Sequence, residues 1–239
     1  MLSVDLHSHT FFSNCGIHTH LELLNQAKAL GIKALAITDH GPLLDSRITP
    51  PFFDRLKDPV PGVRLYKGME CNLADLDGTI DLPKNFAKHL DLVLLGIHPN
   101  TEEGLGEDVY TRALINAISK NPAIDIITHP DSGTYSVNFE RLCETARLAG
   151  VAIEINNSRV MLGRSTAEKM TRLISACKKT ECLIVVNSDT HAIGELGRDE
   201  DVRPLLEAES FPTDKIVNRD PETAEAWIQS RIHNKRNLR

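Results

Sequence analysis

The sequence lacks what would mark a membrane, secreted or nucleic-acid-coating protein. None of its apolar runs approaches the roughly 18 residues that cross a bilayer, and the start shows neither the basic segment nor the long apolar core of a secretion signal. A cytoplasmic protein is expected. Cysteine is sparse: Cys15, Cys71, Cys143, Cys177 and Cys182 are odd in number and form no Cys-x-x-Cys pair, which argues against a disulfide framework. A basic excess is missing too. Lys and Arg number 27 against 33 Asp and Glu, a net charge of −6, so no general surface for a phosphate backbone is present. Several bound divalent cations would offset that charge, and a plainly acidic surface accounts for it equally. No repeat, low-complexity tract or linker interrupts the 239 residues. The length suits one large domain, and 41% apolar with 25% charged residues is ordinary for a globular chain.

What is present is an alternation of apolar runs with helical patterns. After a short first run ending at Leu6, Thr19 with Glu22 forms a capping box, and Gly31 closes the helix it opens. Residues 32–37 read as a strand. Residues 41–61 hold five prolines and read as a loop with a short helix near 52–56. Strands are expected at 63–69, 91–97, 123–128, 151–155 and 182–186, with a short last one at 216–218. Helices are expected at 107–119, 137–149, 166–179 and 196–208. Pro221, in a first helical turn behind Asp220, opens a final helix to about Ile232, and residues 234–239 read as a frayed tail. Asp77-Gly78 predicts a small hairpin. Such alternation predicts a parallel sheet, and about seven units in this length suit a closed barrel.

Candidate ligands follow these strands one after another: His7 and His9, Asp39 and His40, Glu70, His98, His129, Glu154 with Asn156, Asp189 with His191. In a parallel barrel every strand end opens on the same face, so groups scattered along the chain would converge there. Mixed imidazole and carboxylate suits zinc, manganese or iron better than magnesium or calcium. The ligands exceed what one tetrahedral zinc needs, so two or three divalent ions are expected, with Glu70 able to bridge two of them. Asp39, Glu154 and Asn156 could orient ligands or a metal's water from behind; Asp39 and Glu154 could equally serve as caps or turn residues. Arg159 could grip a phosphate bidentately, or be an exposed structural arginine.

Asp5-Leu-His-x-His9-Thr, Ile37-Thr-Asp-His40-Gly, the Glu70 segment, Gly96-Ile-His98, His129-Pro130, Glu154-Ile-Asn-Asn-Ser and Ser188-Asp-x-His191 together resemble the polymerase-and-histidinol-phosphatase (PHP) family. The resemblance spans nearly the whole chain and is strongest to the stand-alone trinuclear-zinc phosphatases. It implies a distorted seven-stranded (β/α)7 TIM-like barrel, here one metallohydrolase domain over residues 1–239. It implies hydrolysis of a small phosphomonoester by a metal-bound hydroxide, with histidinol phosphate among the possible substrates and nucleic acid not expected. Glu70, Asp189 and His191 would be central to catalysis. By position, His7, His9, Glu70 and Asp189 would hold one ion, and Glu70, His98 and His129 a second. His40 and His191 would hold a third with one more ligand. The subgroup has a histidine at the position of Cys15, and here the sequence departs from it. Cys15 and His18 stand level as replacements, ahead of His20, and an unfilled third position is the other alternative. An amidohydrolase, a PHP-type nuclease and a non-catalytic metal-binding module are the rival readings.

Overall fold

The computed structural model describes residues 1–236. Among these, seven strands form one sheet in sequential order: β1 (Val4–Asp5), β2 (Ala34–Ile37), β3 (Arg64–Asn72), β4 (Leu92–Gly96), β5 (Ile126–Ile127), β6 (Ala152–Asn156) and β7 (Ile184–Asn187). Every neighbouring pair is parallel. Beyond the strands, Ser8 bridges Thr190 in parallel, bringing the first and last strands together. Side chains stitch this seam. Asn187 accepts from the Leu6 amide at 2.9 Å, and the Asp5 carboxylate accepts from the Ser188 amide at 3.2 Å. The result is the expected distorted, nearly closed seven-stranded barrel.

The strands read as unbroken apolar runs because a parallel sheet wrapped by helices is buried on both faces. Their period of two then divides the core. Leu6, Ala34, Tyr66, Leu92, Leu94, Ile126, Ala152 and Val185 pack together inside, with Ala224, Ile228 and Ile232 of the last helix closing the bottom. The alternate set, including Val93, Leu95, Ile127 and Ile153, packs outward against helices α3 (Glu107–Lys120), α4 (Phe139–Ala149) and α6 (Ala167–Thr180). Glu70 shares the inward parity of Tyr66, Glu154 that of Ala152 and Asn187 that of Val185. The barrel interior is therefore apolar at one end and polar at the other.

Local signals hold at helix α1 (His20–Leu30): Thr19 makes the capping box with Glu22, and Gly31 closes the helix at φ 79°; the short helix expected near 52–56 is α2 (Pro50–Arg55). Strand β3 runs on past the expected 69 to Asn72, so that Glu70 lies within it, the strand expected over 123–128 narrows to β5, and three further segments differ from the sequence reading. The helix expected over 196–208 shrinks to α7 (Arg203–Ala208), because Gly197 at φ 71° breaks the run and Pro204 suits only a helix's first turn. The 216–218 strand is a single bridge between Ile216 and Ile184. The last helix, α8 (Pro221–Arg236), continues past Ile232. Lys235 is buried there and donates to the Asp91 carbonyl at 2.8 Å and to the Asp125 carboxylate, an anchor that a polar, basic tail does not advertise. Residues 237–239 of the expected tail lie outside the described residues. Among the described residues no helix is long and apolar enough to cross a membrane.

Candidate metal centre

At the polar end of the barrel the loops after the strands gather imidazoles around one carboxylate. Glu70 is fully buried, and its two oxygens face different partners. Oε2 lies 3.4 Å from His7 Nε2, 3.4 Å from His9 Nε2 and 2.9 Å from His40 Nδ1. Oε1 lies 3.3 Å from His98 Nε2 and 2.9 Å from His129 Nε2, and accepts from Thr128 Oγ1 at 2.8 Å. Gly96 allows this crowding: a Cβ there would come within 2.5 Å of His98 and 2.9 Å of His129. His129 and Asp189 sit at φ 31° and φ 55°, positive values that non-glycine residues adopt at a cost and that cluster at functional sites.

The ring tautomers follow from the partners. Glu154 Oε1 accepts from His7 Nδ1 at 2.7 Å, leaving Nε2 toward the centre. Ser13 donates to Asp39 Oδ1 at 2.5 Å, so its oxygen accepts from His9 Nδ1 at 3.2 Å and from the His40 amide at 2.9 Å. The Nε2 atoms of His7 and His9 are then 3.0 Å apart. Two lone pairs at that distance need positive charge between them, a proton on one ring or a cation held by both.

Asp39 also accepts from Thr10 at its amide and hydroxyl, each at 2.7 Å, and so holds the loop that follows β1. Asn156 donates to Glu154 at 2.9 Å and to Asp189 Oδ2 at 3.1 Å. Its oxygen caps α5 (Asn157–Met161), the short helix that carries Arg159. Sequence reasoning missed Ser13, Thr128 and Asn187. Thr128 adjoins His129 and was findable. Ser13 and Asn187 carry no signal until the loop and the seam are folded.

Electrostatics reflects the crowding. Burial would push the Glu70 carboxyl up, but His98, His7 and His40, with a hydrogen bond from His129, hold it well below the usual range. Asp189 is likewise lowered, burial being outweighed by His7, by the His9 ring against it and by His191. His7 is pushed well above its ordinary value, since Glu154, Asp189 and Glu70 overcome burial. His9 is driven well below its own by burial and by His40 and His191. For Cys15, burial is outweighed by hydrogen bonds with His191 and His40, bringing the thiol down to about 7.

Three sets of donor atoms lie within 4.8 Å of one another: His7, His9 and Asp189; His40, Glu70 and His98; and His9, Cys15, His40 and His191. His129 joins through its contact with Glu70. His18 and His20 belong to none of these sets; the His20 ring meets Phe52 edge-on instead. The donor chemistry fits divalent transition ions. So does a row of buried atoms without hydrogen-bond partners: His40 Nδ1, Glu70 Oε2, both nitrogens of His98, and Asp189 Oδ1. Orphaned polar atoms are costly in an interior, and here several share one centre. A cavity of about 700 Å³ opens above it, lined also by Tyr135, Arg159 and Arg164.

Comparison with known proteins adds the context. The PHP domain description matches residues 5–158. A protein of Shewanella piezotolerans named "Probable phosphatase" is 36% identical, covering 96% of this chain and 94% of its own. A similarly named protein of Caldanaerobacter subterraneus subsp. tengcongensis is also 36% identical, over 96% of this chain and 92% of its own. Among solved structures, the histidinol phosphate phosphatase of Lactococcus lactis, complexed with zinc, L-histidinol and phosphate, superimposes with a TM-score of 0.64 at 16% identity, over 87% of this chain and 94% of that one. A chain of an archaeal ribonuclease P bound to mature tRNA gives 0.63 at 17% identity, over 98% and 94%. At such identities the likeness is one of fold, and it extends to machinery with a different role.

Proposed function

This chain belongs to the PHP family, and we propose that it is a metal-dependent phosphatase acting on small phosphomonoesters at a centre of two or three divalent ions. The observation that carries this reading is the convergence of five imidazoles on buried Glu70, with His7, His9 and His40 around Oε2 and His98 and His129 around Oε1, an arrangement in which the carboxylate would be shared between ions. His7, His9, Glu70 and Asp189 would hold the first ion, and Glu70, His98 and His129 the second. Cys15, His40 and His191 would hold the third. Zinc is the first expectation for their identity, with manganese or iron next.

When bound, such ions supply Lewis-acid charge for the phosphate oxygens and lower the pKa of water for attack on phosphorus. The chain's own residues do the rest. Glu154 and Ser13 hold the Nε2 atoms of His7 and His9 toward the centre, and Asn156 fixes Asp189. Arg159 lines the cavity, where its guanidinium would pair with a phosphate oxygen. The ligand set needs no serine nucleophile. An amidohydrolase reading is weakened because no lysine lines the cavity among the described residues. A nuclease reading is weakened by the acidic balance of the chain.

The test is elemental analysis joined to phosphate release. Purified protein is expected to retain two to three ions per chain and to hydrolyse p-nitrophenyl phosphate, while Glu70→Ala loses both properties. Wild-type turnover in Glu70→Ala, or metal-loaded protein silent across a phosphomonoester panel, would contradict the proposal.

A further inference from the structure

We infer that Cys15 makes the third position a thiolate–imidazole site that takes a thiophilic divalent ion, zinc or cadmium, in preference to manganese or magnesium. The inference rests on the metal centre proposed above and makes its positions chemically unequal.

The argument starts with the loop. Thr10 caps a single turn at Phe11–Ser13, and Asn14 then reverses the chain at φ 59°. Gly16 packs so tightly that a Cβ would lie 2.4 Å from the Thr10 carbonyl oxygen. Ser13 Oγ accepts from the His40 amide at 2.9 Å, and the Ile17 amide donates to the His191 carbonyl at 3.1 Å. The residues on either side of Cys15 are thus tied to the two segments that carry His40 and His191. Between those ties the Cys15 sulfur comes within 4.8 Å of donor nitrogens of His9, His40 and His191. His18, three residues on, belongs to no such set.

The donor sets differ in kind. The Glu70 and Asp189 groups combine imidazole with carboxylate oxygen, which manganese, iron and zinc all accept. The Cys15 group has sulfur and imidazole with no carboxylate, a soft set that zinc-like ions prefer. Cys15 is also the exposed cysteine, at the wall of the cavity, whereas Cys71, Cys143, Cys177 and Cys182 are buried. An ion bound to its sulfur would therefore shield the accessible thiol.

That shielding is the readout. The full-length protein is stripped with chelator, reloaded with manganese alone or with zinc alone, and treated with iodoacetamide; the Cys15 peptide is then followed by mass spectrometry. With manganese, Cys15 should be alkylated as fast as in the stripped chain. With zinc it should react about tenfold more slowly or less. Cobalt loading should give a thiolate-to-cobalt charge-transfer absorption that Cys15→Ser abolishes. Cys15→Ser should retain one zinc fewer per chain, and Cys15→His should restore it. A chain that retains zinc and releases phosphate while Cys15 stays fully reactive, or whose Cys15→Ser form keeps the full zinc count, overturns this inference and leaves the phosphatase reading standing. A chain that binds no ion in any form overturns both.

Discussion

Glu154→Gln is an isosteric change whose effect can be worked from four hydrogen bonds. The buried carboxylate accepts His7 Nδ1 at 2.7 Å and Asn187 Nδ2 at 2.8 Å on one oxygen. The other oxygen accepts the His129 amide at 3.0 Å and Asn156 Nδ2 at 2.9 Å. All four partners are donors, and a glutamine has one acceptor oxygen and one donor nitrogen. If its nitrogen faces the His129 amide and Asn156, two buried donors lose their acceptor, at about 1–3 kcal/mol each. If it faces His7, the ring must take its proton on Nε2, the atom 3.4 Å from both Glu70 and Asp189, where a ligand lone pair is needed. Either way the charge that raises the basicity of His7 is gone. The expected result is a loss of about 10- to 100-fold in metal affinity, about 1.4–2.8 kcal/mol, with phosphate release falling in parallel at limiting metal. Competition against a chromophoric chelator measures the first, and urea unfolding of the metal-free variant the second cost. Affinity within twofold of wild type would show that Glu154 does not set the His7 tautomer.

Two further outcomes follow from charge. In the metal-free chain His40 is pushed up to about 10, burial being outweighed by Glu70 and Cys15, and His191 to about 9, burial being outweighed by Cys15 and Asp189. Both raised groups carry protons at pH 8, and ligation needs them neutral. Loading at pH 8 should therefore release about two protons or more from the centre, and apparent affinity should climb with pH until His40 titrates. Calorimetry in buffers of different ionisation enthalpy reads the number, and no proton release would refute the assignment of these rings as ligands. At the far end of the barrel, Asp125 accepts from Arg231 Nε at 2.8 Å and from Lys235. Asp125→Ala should cost about 3–5 kcal/mol by leaving buried cations unpaired. Replacing all three by apolar residues of similar size should cost far less, and equal losses in urea unfolding would refute that account.

The order of strands and helices was legible because a parallel barrel writes itself locally. Strands such as Leu92–Gly96 are buried at every position and so must be apolar runs, while helix ends such as Thr19 and Gly31 must satisfy their own backbone. The candidate ligands were legible for a related reason: each lies in the last residues of a strand or just past it, and the fold alone decides that strand ends share one face. Segments held by distant partners were not legible. The last helix extends over a polar, basic stretch whose Lys235 is received by Asp125, 110 residues away, and by the Asp91 carbonyl. The seam between β1 and β7 depends on Asp5 and Asn187, whose partners lie at the other end of the chain. Cys15 and His18 were indistinguishable as letters in one loop; the turn at Asn14 and the ties of Ser13 and Ile17 brought the sulfur to the imidazoles and kept His18 out of every donor set. Residue types and their spacing thus determined the order of elements and the set of candidate ligands, since periodicity and strand-end position are local properties. Which atoms meet was left to tertiary structure, because hydrogen bonds and ion contacts act over a few ångströms between groups that the sequence keeps far apart.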